Sequence, residues 1–141
     1  MTPEGFRTIA LSMPEAVEQE HHGHPDFRVG GRIFATLFER AGVWGMVRVE
    51  PVQQRRLVKE HPDVFEPIAG GWGRQGCTRV DLGAADREAV REAMEMAWRR
   101  VAPKQLIEIE DEPREPSSRG GRGARATGRT ARRTRTARRP K

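Results

Sequence analysis

Phe6, Ile9, Ala10 and Met13 recur at the three- and four-residue spacing of one helical face. Thr2 and Pro3 supply a capping side chain and a first-turn proline, so the pattern predicts a helix ending at Pro14. The polar stretch Glu15 to Pro25 reads as a connection. Phe27 to Val29 and Ile33 to Phe38 read as short strands joined by Gly30-Gly31-Arg32, because paired glycines accept the positive φ of a tight hairpin. Arg40-Ala41-Gly42 makes the next turn. Val43 to Val49 then alternates, with Val43, Val47 and Val49 on one face and Trp44, Met46 and Arg48 on the other. These three strands form an antiparallel meander.

Pro51 opens a helix that runs to about Glu60, where His61-Pro62 stops it. Its apolar stripe is thin: Val52, Leu57 and Val58. A Pro- and Gly-containing loop spans Asp63 to Gly76. Thr78, Val80 and Leu82 alternate with Arg79 and Asp81 as a half-buried strand. The strongest helical pattern follows, from about Ala84 to Val101, with Val90, Ala93, Met94, Ala97, Trp98 and Val101 as its core stripe. Arg91, Glu95 and Arg99 line the outer face, and Lys104 to Ile109 adds another turn beyond Pro103. The order α-β-β-β-α-β-α predicts an α+β domain with helices packed on an antiparallel sheet.

Three strings carry a family resemblance: Leu11-Ser12-Met13-Pro14-Glu15-Ala16-Val17-Glu18, Phe27-Arg28-Val29-Gly30-Gly31-Arg32-Ile33-Phe34-Ala35 and Thr78-Arg79-Val80-Asp81-Leu82. With the order of elements, they make residues 4 to 107 similar to the MmcQ/YjbR family of small bacterial proteins. The resemblance implies a compact, CyaY-like (frataxin-like) α+β fold and a DNA-binding role. The shared strings mark turns and core and include no catalytic signature.

Charge divides the chain in two. Residues 1–112 hold 15 Lys+Arg and 19 Asp+Glu, a net of −4, while residues 113–141 hold 11 Lys+Arg and the single acid Glu115, a net of +10. The first part is long enough to fold as one domain. The second is built from Arg, Gly, Ala, Thr, Pro and Ser with no aromatic, Leu, Ile or Val, so its composition predicts disorder. Its cations, Arg119, Arg122, Arg125, Arg129, Arg132, Arg133, Arg135, Arg138, Arg139 and Lys141, are suited to neutralising phosphates and releasing counterions. Without aromatics they cannot stack on bases, which predicts contacts independent of sequence. No apolar run approaches the ~20 residues that span a bilayer. The N-terminus has no signal-peptide pattern, and Cys77 has no partner for an intramolecular disulfide. A cytoplasmic protein without a membrane partner is expected.

Little points to catalysis. Gly71-Trp72-Gly73-Arg74-Gln75-Gly76 matches G-x-G-x-x-G, but a strand follows it where a dinucleotide site needs a helix. It reads as a loop in which Trp72 and Arg74 are available for contact, with Arg79 on the next strand as a third candidate on the folded part. His21, His22 and His24 lie near Glu18, Glu20 and Asp26, yet they read as a solvated loop and not a metal site. Cys77 reads as a buried, inert thiol. Trp98 belongs to the core, and Trp44 to the core or to the sheet surface. The expected function is non-enzymatic DNA binding, with duplex DNA as partner and neither metal nor cofactor. The alternative is a small-molecule- or protein-binding regulatory domain that the basic segment only localises to polyanions.

Overall fold

The computed structural model of the protein describes residues 1–39 and 42–112. Helix α1 spans Pro3–Leu11, and Thr2 Oγ1 accepts the Gly5 N–H at 3.0 Å. Then come β1 (Val17–His21), β2 (His24–Val29), β3 (Arg32–Phe38), β4 (Trp44–Arg48), α2 (Pro51–Glu60), β5 (Phe65–Pro67), α3 (Gly71–Arg74), β6 (Cys77–Val80), α4 (Arg87–Val101) and α5 (Lys104–Glu110). The strands make one antiparallel sheet in the order β1-β2-β3-β4-β6-β5. The α+β class holds, with six strands among the described residues where the hydrophobic pattern predicts four. The chain divides after Glu108, and the described residues beyond that point are 109–112. Arg40 and Ala41 of the expected turn lie outside the described residues. No helix among the described residues is long and apolar enough to cross a membrane.

The two extra strands lie at the sheet edges. β1 occupies part of the stretch expected to be a polar connection. It pairs with β2 through a two-residue turn at His22 and Gly23, both at positive φ (51° and 79°), as the twist of a tight hairpin requires. Val-Glu-Gln-Glu-His carries no apolar alternation because this edge strand buries neither face. β5 is only three residues long and ends in Pro67, which an edge strand tolerates. Gly30 and Gly31 supply the predicted β2–β3 hairpin at φ 59° and 80°.

The long helices among the described residues, α1, α2 and α4, lie on one side of the sheet. Phe6 and Ile9 of α1, Leu57 of α2 and the Val90–Val101 stripe of α4 pack on Phe27, Val29, Leu37, Val47, Val49 and Val80. Gly45 on β4 leaves room for the Phe6 ring; a Cβ there would lie 2.5 Å from it. Asp86 caps α4 by accepting the Ala89 N–H at 2.8 Å, so the helix starts at Arg87. Trp98 is buried as expected and donates to the Pro14 carbonyl at 2.9 Å.

α2 departs from its expected stripe. Val52 is 64% exposed, and the buried position is Gln54. The Gln54 side-chain amide donates to the Gly73 and Cys77 carbonyls and to Thr78 Oγ1 at 3.0–3.1 Å. These bonds allow a polar side chain to be buried and fasten α2 to α3 and β6. Gln54→Met, which keeps the volume and removes the donors, is expected to cost about 1–3 kcal/mol by urea unfolding.

Candidate binding site on the open sheet face

Alternation along the strands sends every second side chain to the face that lacks the long helices. Cross-strand register aligns Gln19, Asp26, Thr36, Met46, Arg79 and Glu66 in one row across the sheet. A second row pairs Phe38 with Trp44, and a third pairs Arg48 with Cys77. Val43, expected on the core face of its strand, precedes β4 and is exposed.

A cavity of about 360 Å³ opens on this face. Thr36, Met46 and Ile33 line it from the sheet, Phe38 and Trp44 add aromatic surface, and Ile68 and Trp72 come from the β5–α3 segment. His21, Arg48 and Cys77 complete the lining. Phe38 and Trp44 stack with centroids 4.3 Å apart and planes inclined by 17°. The Arg79 guanidinium lies 4.6 Å from the Trp44 ring centre, a cation–π arrangement. His24 packs against Phe38 as a tilted ring, with centroids 4.6 Å apart and planes inclined by 56°. Trp44 therefore lies on the sheet surface, not in the core.

Two constructions position this face. The first is the carboxylate of Asp26, fully buried beside the cavity. It accepts from Arg28 Nε and Nη2 at 2.7 and 3.0 Å and lies 2.7 Å from His21 Nδ1. Burial opposes its ionisation, but the hydrogen bonds and charges of Arg28 and His21 outweigh burial and hold it below the usual carboxylate range. In turn Asp26 raises the pKa of Arg28. A folded-state pKa below the unfolded one gives stability that is complete above the unfolded value, about 3.9, and is lost as pH falls through the folded value. Asp26→Asn is therefore expected to cost about 1.5–3 kcal/mol at pH 7, the range for hydrogen bonds to charged groups. Urea midpoints should show that difference narrowing below about pH 4.

The second construction is α3, which carries Trp72. Gly73 packs so closely on Ile68 that a Cβ would lie 1.6 Å from its carbonyl oxygen. Gly76, at φ +110°, sits equally tightly against the Val49 carbonyl. Arg100 of α4 donates to the carbonyls of Val49 and Gln75. The second and third glycines of G-x-G-x-x-G, Gly73 and Gly76, thus serve close backbone packing, and β6 follows them, as the sequence suggests.

Of the three candidate residues on the folded part, Trp72 is 65% exposed and lines the cavity, and Arg79 lies on the open face against Trp44. Arg74 is exposed at the end of α3 and is not part of the lining. Arg119, Arg122, Arg125, Arg129, Arg132, Arg133, Arg135, Arg138, Arg139 and Lys141 lie outside the described residues. Sequence reasoning passed over His21, Thr36, Phe38 and Arg48 as cavity residues. The Trp44-Met46-Arg48 alternation was the one visible signal.

The histidines belong to the β1–β2 hairpin and not to a solvated loop. Among the described residues, Glu60, His61 and Glu92 form a cluster able to offer three metal ligands. Arg56 already pairs with its two carboxylates, at 3.5 Å from Glu60 and 2.5 Å from Glu92. Cys77 is buried, and burial pushes its thiol pKa up against the opposing charges of Arg48 and Arg100. It is a buried thiol, protonated at neutral pH, in the lining of the cavity.

A family model described as YjbR matches residues 11–100. The fold is similar to the crystal structure of a Deinococcus radiodurans protein with a DUF419 domain, at a TM-score of 0.59 and 20% identity. That match covers 74% of this chain and 83% of the other. No curated protein matches the chain.

Proposed function

We propose that this chain, which belongs to the YjbR family, is a non-enzymatic DNA-binding protein whose phosphate contacts come from the Arg-rich segment 113–141. The observation that carries this reading is the charge division: a net of +10 in 29 residues, beside a domain of net −4. Such a segment gains affinity for any polyanion by counterion release, and duplex DNA offers a regular array with one negative charge per about 1.7 Å of helix axis. The folded domain, with its net negative charge, adds no long-range attraction to this. Among its exposed cations, Arg74 and Arg79, with Trp72, are the contacts we assign to it. A cytoplasmic location follows from the same reading, with DNA as partner and no membrane.

Replacing Arg132, Arg133, Arg138 and Arg139 together with Gln tests the reading. The log–log dependence of duplex affinity on salt should flatten by about 0.9 for each arginine that contacts a phosphate. An unchanged slope and affinity would remove segment 113–141 from the interface.

A further inference from the structure

We infer that the cavity on the open sheet face binds a small aromatic carboxylate, with Arg48 pairing the carboxylate and the aromatic walls holding the ring. The size fits: about 360 Å³ falls within the roughly 300–1,000 Å³ of small-molecule pockets. Most of the lining is apolar, and Phe38, Trp44 and Trp72 give it flat surfaces suited to a planar body. Two polar groups inside lack partners. Thr36 is 1% exposed and lines the cavity, yet its hydroxyl makes no hydrogen bond among the described residues. Buried hydroxyls ordinarily find a partner. Arg48 is half-buried in the same lining and has neither a carboxylate nor a hydrogen-bond acceptor among the described residues.

Other half-buried arginines of the domain differ: Arg7 pairs with Glu4 and Glu18, Arg28 with Asp26, and Arg100 with Glu50. The positive charge at Arg48 is thus uncompensated in an apolar site, and a guanidinium presents a planar fork that matches one carboxylate. Thr36 and Arg48 project from neighbouring strands on the same face, because Thr36 pairs with Met46 and Arg48 follows two residues later. One anionic group can therefore meet both while its ring lies toward Trp72. A single unpaired cation and one hydroxyl suit a monocarboxylate better than a phosphate, whose greater charge calls for more donors. This site is separate from the phosphate contacts proposed for segment 113–141.

The test is calorimetric titration of the full chain with 2-naphthoate and with its neutral counterpart 2-naphthamide. Naphthoate should bind saturably, at least tenfold tighter than the amide. Arg48→Gln should erase that preference, lowering naphthoate affinity tenfold or more while leaving the unfolding temperature unchanged. Thr36→Val, which replaces an unpartnered hydroxyl with a methyl, should weaken naphthoate binding several-fold without loss of stability. Absence of saturable binding, equal affinity for acid and amide, or binding insensitive to Arg48→Gln would overturn the inference. The last of these would place the carboxylate on other arginines, those of segment 113–141 included.

Discussion

Ending the chain at Glu112 is expected to lower affinity for a 20-base-pair duplex on the order of a hundredfold or more at about 0.1 M salt. The truncation removes 11 of the 26 Lys and Arg residues and only one of the 20 acids. What is left carries net negative charge, so its long-range interaction with DNA changes from attraction to repulsion. The core lies within residues 6–101, and Leu106 and Ile107 pack partly against it. The truncated protein should therefore keep its fold. A loss of binding accompanied by an unchanged unfolding transition, followed by circular dichroism, would assign the loss to contacts and not to misfolding. Competition with excess polyglutamate would then separate a preference for nucleic acid from a general affinity for polyanions.

The second large effect concerns the segment that holds Trp72. Gly76→Ala is expected to destabilise the domain by about 2–5 kcal/mol or more. A non-glycine residue at positive φ costs about 1–2 kcal/mol, and forcing an atom into a closely packed site adds about 1–3 or more. A Cβ at Gly76 would lie 1.8 Å from the Val49 carbonyl oxygen, whose neighbourhood is fixed by the β4 ladder and by Arg100. Gly73→Ala meets the Ile68 carbonyl in the same way, but from helical backbone. Gly31→Ala separates the two contributions: its φ is +80°, but nothing lies within 4 Å of the added Cβ. It should show the conformational cost alone, about 1–2 kcal/mol. Urea denaturation of the three variants measures the order, Gly31→Ala being the mildest.

The parts of this fold that were legible in the sequence are those in which apolar periodicity and burial coincide. α4 buries seven side chains along one stripe, and the pattern from Val90 to Val101 announces it. The Gly30-Gly31 hairpin was equally plain, since few residue pairs other than glycines adopt two consecutive positive φ angles. β1 was hidden because an edge strand with no buried residue has no period to detect. β5 was hidden by its brevity and its proline. Gln54 misled because a buried amide looks polar in sequence, and its acceptors at Gly73, Cys77 and Thr78 are 19 to 24 residues away.

The site was less legible than the fold. Trp72 was visible as an aromatic residue in a glycine-rich stretch, and it does line the cavity. Arg48 and Thr36 look ordinary in sequence. Their significance comes from sheet register, which places them on the one face the long helices leave open. His21 acquires a fixed orientation only through Asp26, five residues on, by a hairpin turn that the chain's pattern did not announce.

The most direct test of the central claim is duplex affinity of the full chain measured across a salt series from about 50 to 200 mM, beside the chain ending at Glu112. With ~5–10 phosphate contacts from segment 113–141, the full chain should give a log–log slope of roughly −4 to −9. The shorter chain should show little binding at any salt. Equal affinities and slopes for the two would contradict the account, placing DNA recognition on the folded domain or nowhere on this protein.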